Sequence, residues 1–187
     1  MTVQRNPIEP PTGTVTFLFT DVAGSTRLWQ EHPTEMDAAL ARHDEIMRAT
    51  IGAHRGYIFS TAGDAFAASF ARPGDAVDAA VEAQQGLAAE PWPSDAAILV
   101  RMGIHTGEAV ERGGDYFGPT LNLGARIMSA GHGGQVLISA IMASVVARPS
   151  TFSPTWASTT CVTSTELSGC SRSLAKLCAQ TFRRFGR

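Results

Sequence analysis

The chain has 187 residues, 44% of them hydrophobic and 17% charged, enough for one domain with a buried core plus an appendage. No apolar run approaches the ~20 residues of a membrane span, and the polar, Pro-rich opening MTVQRNPIEPPTG lacks a signal-peptide core, so a cytoplasmic protein is expected. The formal charge of −2 conceals an acidic body: residues 1–147 hold 16 acidic residues against nine Arg and no Lys, which argues against a nucleic-acid binder.

Residues 14–26, TVTFLFTDVAGST, read as a strand and a tight turn. Val15, Phe17 and Phe19 alternate with Thr14, Thr16 and Thr20, the period-2 pattern of a strand with one strongly apolar face. The strand delivers Asp21 to its end. Ala23, Gly24, Ser25 and Thr26 then turn the chain, with small residues whose amides can approach an anion. Ser25 and Thr26 are candidate caps for the next helix. A carboxylate beside such amides suits a metal–nucleotide complex. A strand-end Asp is also a common turn former, and Asp21 alone does not decide between the two.

Residues 26–30 form a short helix or turn. Pro33 opens a longer helix with Thr34 as its candidate N-cap, and Gly56 stops it. Tyr57 to Phe59 and Ala65 to Phe70 make a hairpin with Asp64 at its tip or just inside its second strand. Pro73 to Ala89 is helical, with Ala76, Val77, Ala80, Val81, Gln84 and Ala88 along one stripe. A strand from Ile98 to Ile104 ends at His105-Thr106-Gly107, and Gly113-Gly114 marks a turn. A helix from Pro119 to about Ala130, a strand at Gln135–Ser139 and a short helix to Ala147 follow. The order predicts an α+β fold, a ferredoxin-like (βαββαβ) antiparallel-rich sheet with helices on one face.

In such a sheet Asp21 and Asp64 reach neighbouring strand ends. There they can share a pair of divalent ions of the kind that clamps a phosphoryl displacement. Asn122 and Arg126 are four apart on one helix and share a face, which suits a ribose and a charged phosphoryl group; a solvated Arg with an unrelated Asn has the same spacing. His105 reads as a hydrogen-bonded structural residue rather than a base. Gly113-Gly114-Asp115-Tyr116-Phe117 is similar to the diguanylate cyclase signature, but Tyr116 stands where that family needs a metal-binding acid.

FTDVAGST, TAGDAF, RMGIHTG and DYFGPTLNLGAR, in this order, resemble the class III adenylate/guanylate cyclase catalytic domain over roughly residues 12–147. The resemblance implies that Asp21, Asp64 and the Val22 carbonyl hold two Mg²⁺ or Mn²⁺ ions. Ala23, Gly24, Ser25 and Thr26 would bind the triphosphate, Asn122 the ribose, and Arg126 the charge developing on the transferred phosphorus. The sites would be composite, in a head-to-tail homodimer where Asp21 and Asp64 of one chain meet Asn122 and Arg126 of the other. ATP would then become 3′,5′-cyclic AMP and pyrophosphate. No membrane span or nucleic-acid partner is implied.

Two departures stand out. Adenine-selective members carry a lysine four residues before the second metal aspartate, where this chain has Ser60. Asp115 matches the partner of the adenine 6-amino group, and Ser60 reaches adenine N1 only through a water. The second departure is the tail. Residues 1–12 are expected to form a disordered segment and 13–147 the catalytic domain. Residues 148–187 form an atypical Ser/Thr-rich basic tail, expected to be poorly ordered, with two readings open: an out-of-frame translation of the usual closing hairpin, or a native tail with an amphipathic end around Leu174 to Phe185. These departures keep open an alternative: a weak or inactive cyclase-like dimerisation or nucleotide-sensing module.

Overall fold

The computed structural model describes residues 9–93, 96–146 and the backbone of 159–162. In chain order the elements are β1 (Gly13–Val22), α1 (Ser25–Glu31), α2 (Pro33–Ala53), β2 (Tyr57–Ala62), β3 (Ala65–Phe70) and α3 (Pro73–Ala89). Then come β4 (Val100–Arg112), β5 (Asp115–Phe117), α4 (Pro119–Ser129), β6 (Val136–Ser139), α5 (Ala140–Val146) and β7 (Thr159–Val162). The strands run in the order β2-β3-β1-β4-β6-β7, with β5 folded back on the far end of β4. The first four strands pair antiparallel in ferredoxin-like order, and β6 and β7 add in parallel. Of the expected tail, only β7 lies within the described residues.

The strand β1 is buried on both faces, not one. Leu18 and Val22 join the main core with Met36, Met47, Ala80, Phe66 and Met102, beneath α2 and α3. Val15 and Phe17 join a second, aromatic cluster on the other face with Tyr116 and, at its edge, Phe19 and Phe59. Thr16 and Thr20 are tolerated inside because Thr16 Oγ1 bonds Thr106 Oγ1 at 2.9 Å and Thr20 Oγ1 accepts from the Phe66 amide at 3.2 Å.

Helices cover both faces, which corrects the expectation of one. Packing α4 on the second face requires two glycines. A Cβ on Gly124 would stand 2.5 Å from Phe19 Cε2, and one on Gly103 would stand 2.4 Å from the Met128 backbone nitrogen. Gly103→Ala therefore forces its new methyl group against backbone. A loss of roughly 1–3 kcal/mol or more is expected, read as a lower urea midpoint with unchanged slope.

Other local expectations shift by a residue or two. Pro33 occupies the first turn of α2 and His32, not Thr34, is its N-cap. On α3 the buried stripe is Ala76, Val77, Ala79, Ala80, Ala83 and Leu87, while Ala88 is exposed. The strand β4 begins at Val100 and continues to Arg112, because β1 pairs it as far as Ala109 and β5 pairs its last three residues, Val110–Arg112.

Two buried histidines link this fold to pH. His105 Nδ1 meets Ser139 Oγ at 2.9 Å, tying β4 to β6, and burial pushes its pKa below the ordinary value. Burial likewise lowers that of His43, partly offset by Asp44 and Asp64. Both rings are thus held neutral in the folded state, and the unfolded chain takes up the extra protons as pH drops below about 6.5. Stability should be fully present above that value and fall beneath it, so thermal melts at about pH 5 should show a lower Tm than at about pH 7.5.

Candidate active site

The end of the sheet at which β1 finishes and the β2–β3 hairpin turns carries the acidic pair. Gly63, at φ 61°, takes the first central position of the two-residue turn, where a positive φ suits glycine, and Asp64 follows it. The Asp64 Oδ2 atom accepts a hydrogen bond from the Val22 amide at 3.2 Å. Asp64 thus sits against the residue that follows Asp21. Both carboxylates are only partly exposed.

Asp21 has a partner that the linear sequence did not disclose. Register pairs it with Arg101 across β1 and β4, and Arg101 Nε donates to Asp21 Oδ2 at 2.9 Å, with NH2 on the same oxygen. Arg101 alternates with Gly103 and His105 in a strand, but only the sheet register shows which carboxylate it meets.

The turn after β1 differs in detail from expectation. The Ala23 amide is already spent on the Leu99 carbonyl at 2.8 Å. The N-cap of α1 is Gly24, in the left-handed region at φ 73°, with no side-chain cap bond, so neither Ser25 nor Thr26 caps the helix. Among the described residues, the amides of Gly24, Ser25 and Thr26 donate no backbone bond, as the first amides of a helix must.

Asn122 and Arg126 both lie on the exposed side of α4, opposite Thr120, Gly124 and Ile127, which face the sheet. Their shared face is therefore observed, and it points outward. Ser60 and Asp115 are exposed too, on β2 and β5. Their neighbours Phe59 and Tyr116 meet ring to ring at 5.0 Å between centroids, which brings the two strands together over the aromatic cluster. Tyr116 is buried, donating its hydroxyl to the Pro11 carbonyl at 2.7 Å and accepting from Ser69 at 3.1 Å. Its role here is structural.

Two carboxylates form a hard-oxygen donor pair suited to Mg²⁺ or Mn²⁺. Among the described residues no group of three or more His, Cys, Asp or Glu could hold a metal. A two-carboxylate site fits a cation that arrives with phosphate oxygens completing its shell. Among the described residues no helix is long and apolar enough to cross a membrane.

Known proteins resemble this chain over most of its length. The adenylate and guanylate cyclase catalytic domain family matches residues 8–169. An uncharacterized protein of Mycobacterium tuberculosis is 42% identical over 139 residues, 73% of this chain and 46% of that protein. The adenylate cyclase of Lachancea kluyveri is 34% identical over 157 residues, 71% of this chain but 8% of that protein. The chain thus spans less than half of these relatives. Among solved structures, an adenylate cyclase from Trypanosoma brucei in its monomeric state superposes with a TM-score of 0.68 at 32% identity, covering 76% of this chain and 79% of that one. An adenylate/guanylate cyclase/hydrolase from Silicibacter pomeroyi gives 0.64 at 29% identity, covering 74% and 84%.

Proposed function

The chain belongs to the adenylate and guanylate cyclase catalytic domain family, and on that premise we propose that it converts ATP to 3′,5′-cyclic AMP and pyrophosphate at a composite site between two copies. The observation that carries this reading is the Asp64–Val22 contact, which sets the two carboxylates at one strand end. Asp21, Asp64 and the Val22 carbonyl would hold two Mg²⁺ or Mn²⁺ ions. When bound, these ions acidify the ribose 3′-hydroxyl and neutralise charge on the phosphates.

The protein's own groups supply the positioning. Arg101 Nε and Nη2 both donate to Asp21 Oδ2, so a cation held there would have to share that carboxylate with the guanidinium or displace it. The amides of Gly24, Ser25 and Thr26 bind phosphate oxygens, while that of Ala23 keeps the turn anchored to Leu99. Asn122 and Arg126, pointing outward on α4, serve the partner's carboxylates rather than their own. The Asn122 amide orients the ribose and Arg126 stabilises charge on the phosphorus in flight.

Asp115 accepts from the adenine 6-amino group and repels a guanine carbonyl. Ser60 makes base recognition weak, since its short side chain stops short of the ring. Purified protein with MnATP should yield cyclic AMP, and MnGTP should yield less cyclic GMP. Ser60→Lys is expected to lower KM for ATP by roughly tenfold, the worth of about 1.4 kcal/mol from one charge-assisted hydrogen bond. Nucleotide binding without product would support the sensing module instead.

A further inference from the structure

Among the described residues, one buried side-chain polar atom has no hydrogen-bond partner: Nε2 of His43, on a fully buried ring in α2. Such an atom is costly to bury, and native proteins retain it for a reason. The ring lies edge-on to Phe66 at 5.7 Å between centroids, and Phe66 follows Asp64 by two residues. Arg48, from the same helix, covers Phe66 at 5.1 Å. The Phe66 amide is in turn held by Thr20 Oγ1. The helix α2 therefore grips the hairpin just beyond Asp64.

The protons on the ring follow from its other contact. Nδ1 lies 3.1 Å from Asp44 Oδ1, and a carboxylate only accepts, so Nδ1 carries the hydrogen and Nε2 a lone pair. A lone pair cannot bond a second carboxylate directly. A single water can join them, donating one hydrogen to each.

We propose that His43 is a positioning residue for Asp64: its ring fixes the hairpin through Phe66, and its Nε2 lone pair orients the cation-bearing carboxylate through one water. Ligand carboxylates are commonly held in this way by an outer hydrogen bond, whose removal weakens metal binding. Asp64 is one of the two carboxylates whose charge acts on the ring, against the larger effect of burial. The inference rests on the metal reading of Asp64.

The test is Mn²⁺ affinity, titrated by EPR in the presence of α,β-methylene-ATP, alongside Tm. Asp64→Asn serves as the control. If it leaves Mn²⁺ affinity unchanged, the metal reading fails; if it abolishes binding, His43 is tested on its own terms. His43→Phe keeps the ring contact and removes both nitrogens. It should weaken Mn²⁺ at least about tenfold with Tm at or above that of the parent protein, and His43→Gln, whose amide oxygen replaces the lone pair, should restore most of the affinity. Unchanged affinity in folded His43→Phe would overturn the proposal, whatever its Tm. Should His43→Phe fail to fold, imidazole ¹⁵N NMR of the unaltered protein decides. Protonation at Nδ1 is required, and protonation at Nε2 would overturn it.

Discussion

Replacing Asp64 with asparagine is expected to lower cyclic AMP formation by about a thousandfold while leaving the fold intact. Charge, not hydrogen bonding, decides the outcome. The asparagine side chain keeps an oxygen for the Val22 amide, which lies 3.2 Å from the Asp64 carboxylate, so the hairpin stays docked on β1. What disappears is the negative charge on which a divalent ion depends. Cation stabilisation of a phosphoryl displacement is worth several kcal/mol, which is on the order of a thousandfold in rate. Circular dichroism and Tm should change little, since a single hydrogen bond worth about 1 kcal/mol is weakened and none is removed. Activity within tenfold of the parent would remove Asp64 from the reaction.

Two inactive variants should restore each other. Asp64→Asn leaves the Asn122 and Arg126 face untouched, and Arg126→Ala leaves the carboxylates untouched. Each alone should be inactive, Arg126→Ala by about 10²–10³-fold, as for other groups that stabilise developing charge. Mixed in equal amounts, copies that pair at random place half the chains in mixed dimers, each with one complete site out of two. Roughly a quarter of parent activity is then expected, as the two-fold symmetry of such a dimer requires. The outward direction of Asn122 and Arg126 on α4 is the reason for this expectation. A mixture as inactive as its components would mean that each chain completes its own site.

Local chemistry made much of this arrangement readable from the chain. The alternation of Val15, Phe17 and Phe19, the Gly63-Asp64 turn and the Pro33, Pro73 and Pro119 helix starts are short-range signals, and all three helices begin at those prolines. Asp64 falls at the hairpin tip because glycine at a positive φ leaves it little alternative.

What the linear reading lacked was long-range. The Arg101–Asp21 pair spans 80 residues and depends on the β1–β4 register. The second helical layer depends on Gly103 and Gly124 meeting Met128 and Phe19, a close approach that isolated glycines do not announce. Leu18 and Val22 could have signalled that β1 is covered twice, since they break its polar face. The Ser25 and Thr26 hydroxyls had the right chemistry for caps, but the left-handed Gly24 took that place. Of the segment 1–12 expected to be disordered, residues 1–8 lie outside the described residues, as does the tail from 148 to 187 apart from the backbone of 159–162.

The most direct measurement is anomalous diffraction from crystals grown with Mn²⁺ and α,β-methylene-ATP. Two Mn²⁺ peaks about 3.5–4 Å apart, each within bonding distance of both the Asp21 and Asp64 carboxylates or bridged by them, are the predicted result. Manganese bound away from this strand end, or held by one carboxylate while the other keeps its arginine or amide partner, would contradict it.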